Sequence, residues 1–96
     1  MRQIVFIGTT HRQAVKWRNA VIDQVQEMQP EGLPDYKTAA VNWTDKPDIV
    51  GRMDGRSTAV MMHPEVGDSE LTRVARGRLR VLGGVDDALA FLTGQA

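Results

Sequence analysis

The sequence predicts a small three-layer α/β/α domain on a four-stranded, mainly parallel sheet of order 2-1-3-4. Three observations carry that prediction. Continuous β-branched and apolar runs stand at Gln3–Ile7 and Ser57–Met62, the pattern of strands covered on both faces. Segments with helical spacing or helix caps follow the strand-like runs. Gly and Pro fall at the joints between them. Right-handed crossovers then favour the 2-1-3-4 order over its rivals.

The first strand, Gln3 to Ile7, ends at Gly8. The helix that follows has the clearest period in the chain. Ala14, Trp17, Val21, Val25 and Met28 recur at three- and four-residue spacings, and Val15 and Ile22 widen the stripe. Arg12, Lys16, Asn19, Asp23, Gln26 and Glu27 take the other side. Thr10 followed by Gln13 fits a capping box, so the helix is expected to start at Thr10. Pro30, Gly32 and Pro34 break it.

Thr38 to Trp43 reads as the second strand. Asp45 is then the expected cap of a short helix with Ile49, Val50 and Met53 on its apolar face and Gly55 at its end. Asp54-Gly55 is also a hairpin signal, and a hairpin there would make the sheet mixed. Ser57 to Met62 is the third strand. Asp68 or Ser69 caps the next helix, with Leu71, Val74 and Ala75 on one face and Gly77 as its stop. Arg78 to Leu82 alternates polar and apolar, as an edge strand does. Gly83-Gly84 turns the chain. Asp86-Asp87 suits the start of a last helix packed by Ala88, Leu89, Phe91 and Leu92 and closed at Gly94.

Composition narrows the functions. Ninety-six residues make one domain, 42% apolar and 25% charged, within the globular range. Twelve basic and twelve acidic residues cancel, which argues against a nucleic-acid coat or a polybasic membrane binder and leaves self-association open. The chain has no cysteine, so disulfides, thiol nucleophiles and cysteine-held metals are excluded. Ile4 to Ile7 is too short for a signal-peptide core, and the expected location is the cytoplasm.

Open α/β sheets bind ligands beyond the carboxyl ends of their strands, where strand order reverses. In order 2-1-3-4 that place lies between the first and third strands. The loops there are Gly8-Thr9-Thr10-His11-Arg12 and His63-Pro64-Glu65-Val66-Gly67. Gly8, the Thr9 and Thr10 hydroxyls, the helix-start amides and Arg12 are the candidate groups for an anion, with His11, His63, Trp43 and Asp45 around them. A cation at Arg12 opposes the helix dipole unless an anion offsets it. Neither GxxxxGK[ST] nor GxGxxG is present. No cofactor is called for. A metal would need Asp45 or Glu65 beside both histidines, and none is assigned. Arg73, Arg76, Arg78 and Arg80 form a basic stretch without interleaved aromatics, a weak basis for nucleic-acid binding.

Three functions follow. The first is a non-catalytic regulatory or interaction module that binds a protein partner or a second copy of itself. The second is a binder of a small anion, a phosphate or nucleotide, at the strand ends. The third is a small hydrolase or transferase using His11 and His63. Fold alone does not choose among them.

Overall fold

The computed structural model describes residues 1–95. The elements run β1 (Arg2–Gly8), α1 (His11–Met28), β2 (Tyr36–Asn42), α2 (Asp48–Gly51), β3 (Thr58–Met62), α3 (Glu70–Arg78), β4 (Arg80–Val81) and α4 (Val85–Leu92). The sheet order is β2-β1-β3-β4, and every pairing is parallel. This is the order expected from alternating strands and right-handed crossovers.

The central strand β1 is buried on both faces from Ile4 onward, and its parity sorts the core into two layers. Ile4 and Phe6 join Ala59 and Met61 beneath α1 and α4, where Val21, Val25, Ala88, Phe91 and Leu92 complete the layer. Val5 and Ile7 join Val41 and Val60 beneath α2 and α3, with Val50, Leu71, Ala75 and Leu79. The sheet is therefore the shared wall of both cores.

The hairpin alternative is not formed. Asp48–Gly51 is a single helical turn, and β3 pairs with β1 in parallel. Asp54 makes an Asx turn instead, its carboxylate accepting from the Arg56 amide at 3.0 Å and the Ser57 hydroxyl at 3.2 Å. That turn steers the chain directly into β3.

Several local expectations are corrected. Asp45 does not cap α2; Pro47 holds that position, and Asp45 accepts from the Asn42 amide at 3.1 Å. The helix stops near Gly51, short of Gly55, and Ile49 faces outward at 40% exposure while Val50 is buried. Gly77 lies inside α3 and does not end it; the helix carries on through Arg78. The edge strand shrinks to two residues. Leu79 and Leu82 enter opposite core layers, and Val81 between them is left exposed at the sheet edge. Met28, expected on the buried stripe of α1, is exposed at the helix end.

Candidate functional site

The turn from β1 into α1 is built from short polar contacts. Thr10 is the N-cap, and its hydroxyl accepts from the Gln13 amide at 3.0 Å. The return half of the capping box is displaced by one residue. Gln13 Oε1 accepts from the Thr9 amide at 2.8 Å and from the Thr9 hydroxyl at 2.9 Å, so Thr10's own amide is not its target. Gln13 Nε2 then donates to Glu65 Oε2 at 2.7 Å, tying the first-strand loop to the third-strand loop. Gly8 permits a close approach, and what approaches is the helix: a Cβ there would lie 2.6 Å from Ala14 N.

Between these loops lies an open cleft of about 450 Å³ lined by Thr10, Arg12, Gln13, Lys16, Trp17 and His63. The Glu65 amide donates to His63 Nδ1 at 3.1 Å, which leaves the proton of the neutral ring on Nε2. His63 meets Trp17 edge to face, with ring centroids 5.3 Å apart. The Trp17 indole Nε1 is buried without a hydrogen-bond partner among the described residues. Lys16 and Trp17 lie two and three residues beyond the first turn of α1. Neither is legible as a site residue in the sequence, because Trp17 falls on the apolar stripe and Lys16 reads as a solvated helix charge.

The other expected site residues disperse. His11 is exposed at the helix start and does not line the cleft. No hydrogen bond joins the two histidines among the described residues. Trp43 and Asp45 border a separate hollow with Ser69 and Glu70. Trp43 packs over the end of the sheet, where a Cβ at Gly67 would sit 3.2 Å from its ring, and its carbonyl accepts from the Ser69 hydroxyl at 2.7 Å. Among the described residues, no group of three or more His, Cys, Asp or Glu is placed to hold a metal ion.

The outer face of α1 is the second feature. At about 100° per residue, Arg12, Lys16, Asn19, Ala20, Asp23 and Glu27 share one stripe. All six are exposed. The stripe is basic at its N-terminal half, small and uncharged at its middle, and acidic at its C-terminal half. This polarity opposes the helix. No acidic residue stands in the first turn of α1 and no basic one in its last. Helices α2, α3 and α4 all start with acids, and α3 ends with Arg76 and Arg78. An exposed charge at the wrong helix end costs roughly 0.3–1 kcal/mol. Arg12–Lys16 and Asp23–Glu27 are also like-charge pairs four residues apart, which cost about 0.2–0.5 kcal/mol each. None of these four side chains forms an ion pair among the described residues.

No helix is long and apolar enough to cross a membrane among the described residues. Compared with protein-family models, with curated proteins and with solved structures, the chain gives no match.

Proposed function

We propose that this chain is a non-catalytic interaction module that binds a protein partner through the outer face of α1. One observation carries the reading: a surface helix bears four charged side chains sorted basic to acidic along one stripe, with Arg12 and Glu27 in the terminal turns set against its dipole and no ion pair to any of the four among the described residues. Such an arrangement destabilises the free helix and becomes favourable against a surface of opposite pattern. The polar groups of the neighbouring turn, by contrast, are largely satisfied internally by Thr9, Thr10 and Gln13.

A photo-crosslinking residue placed at Ala20 tests this, with the same residue at Arg73 on α3 as control. Protein adducts are expected from position 20 and not from position 73. No adduct at position 20, or equal yields from the two, removes the reading.

A second reading is favoured by the cleft beside Thr10. Arg12, Lys16 and His63 line it at the strand-order reversal, a setting suited to a small phosphate or carboxylate. On that reading phosphate or sulfate raises the melting temperature, and Arg12→Ala abolishes the rise. An unchanged melting temperature across a broad panel of anions and nucleotides rules it out.

A further inference from the structure

Resting on the interaction reading above, we infer that the partner of the α1 face is a second copy of this chain, its α1 packed antiparallel about a two-fold axis between Asn19 and Ala20. The charge pattern is self-complementary. The midpoint between Arg12 and Glu27 falls between Asn19 and Ala20, and so does the midpoint between Lys16 and Asp23. One two-fold axis therefore sets Arg12 against the partner's Glu27 and Lys16 against the partner's Asp23, each pair occurring twice. A two-fold interface must match itself in this way, because the same patch is used on both sides.

The middle of the stripe suits the crossing point. Ala20 presents a single methyl group there, so two helix backbones can come close. Asn19 is already turned aside, its Oδ1 accepting from the Arg18 guanidinium at 3.1 and 3.2 Å. Antiparallel packing also sets the N-terminus of each helix beside the C-terminus of the other, so the dipoles attract. Every unfavourable feature of the lone stripe is offset in this arrangement. Arg12 at the positive helix end gains a carboxylate, Glu27 at the negative end gains a guanidinium, and both like-charge pairs are interleaved with opposite charge.

Other protein surfaces would also need alternating acidic and basic blocks at this spacing. A second copy carries them at this spacing by identity of sequence. The contact is a single helix against a single helix, at the small end of specific interfaces, and its charges are exposed at the rim. The dimer is therefore a reversible one that salt dissolves.

Sedimentation velocity over a concentration series tests this with charge-reversed variants. The wild type is expected to be a concentration-dependent dimer in low salt and a monomer in high salt. R12E/K16E makes the stripe acidic throughout, and D23R/E27R makes it basic throughout, so each alone is expected to be monomeric. Mixed together they are expected to form a heterodimer. The quadruple variant R12E/K16E/D23R/E27R, whose stripe is inverted but again self-matching, is expected to regain the homodimer. Circular dichroism and melting curves of each variant separate loss of assembly from loss of fold. A wild type that stays monomeric at every concentration in low salt overturns the inference. So does a dimer that survives both double reversals, or a folded pair of double variants that fails to associate. If the crosslinker at position 20 attaches to a different protein while the wild type is monomeric, the interaction reading stands and the second copy falls. If position 20 attaches to nothing, both fall.

Discussion

At Gly8 the backbone of β1 meets that of α1. A methyl group there would stand 2.6 Å from Ala14 N and 3.0 Å from the Thr10 carbonyl, and both are backbone atoms with no rotamer to move. Gly8→Ala is therefore expected to cost about 1–3 kcal/mol, the range for overpacking a tight site, read from chemical denaturation. A loss below a few tenths would mean that α1 can slide outward freely. Asp54 offers a pH-dependent counterpart. The Arg56 amide and the Ser57 hydroxyl donate to its carboxylate, the amide bond being the larger influence, and hold its pKa below the ordinary aspartate value. A lowered folded-state pKa means stability that is present above the unfolded value and lost as pH falls through the folded one. The melting temperature of Asp54→Asn should thus lie below wild type near neutrality, and the two should converge in acid. Parallel pH curves would show that the turn does not depend on the charge.

Helix α3 shows how far single-sequence signals reach for an element. The sequence narrows its cap to Asp68 or Ser69, and Ser69 takes the position: its hydroxyl accepts from the Thr72 amide at 3.2 Å while the Thr72 hydroxyl accepts from the Ser69 amide at 2.8 Å. Ser69→Ala removes that box and the 2.7 Å bond to the Trp43 carbonyl, so a loss of about 0.5–2 kcal/mol is expected from thermal or urea unfolding. Gly77 reads as a stop because glycine commonly ends helices, but Leu79 reaches the core, and burying it carries the helix past the glycine. A Cβ at Gly77 meets nothing, and its φ is not positive. Gly77→Ala should then stabilise the protein by up to about 1 kcal/mol, by helix propensity alone. A destabilised Gly77→Ala would point to a contact on that face that the free chain does not make. In α2 the ambiguity lies at the helix start. Asp45, Pro47 and Asp48 all suit a helix start, and which one caps it depends on Asp45 being drawn back to the Asn42 amide. Composition cannot reveal that contact. In α1 the start was legible to the residue, while Lys16 and Trp17 were not legible as cleft residues, because only the approach of the His63 loop turns them into a site.

At the scale of the whole molecule, strand order was the most legible feature, since periodicity and crossover handedness constrain it without reference to any single contact. Assembly was less legible, because the positions of the charges become informative only once they are known to share an exposed face. The charge balance hides a sorted pattern. The acids at the starts of α2, α3 and α4 and the arginines at the end of α3 follow the helix dipoles, and α1 alone runs against them. If that inversion serves a second copy, folding and association are linked. A dimer formed only by the folded chain shifts the unfolding equilibrium by mass action, so the melting temperature must rise with protein concentration. The rise should be visible in low salt and shrink as screening weakens the paired charges. In R12E/K16E the concentration dependence should vanish, and the melting temperature at high dilution should equal or exceed that of wild type, because acids in the first turns of α1 agree with its dipole. Scanning calorimetry over a concentration series in low and high salt reads all of these at once. A wild-type melting temperature independent of concentration in low salt would leave the inverted charges of α1 without the partner proposed for them.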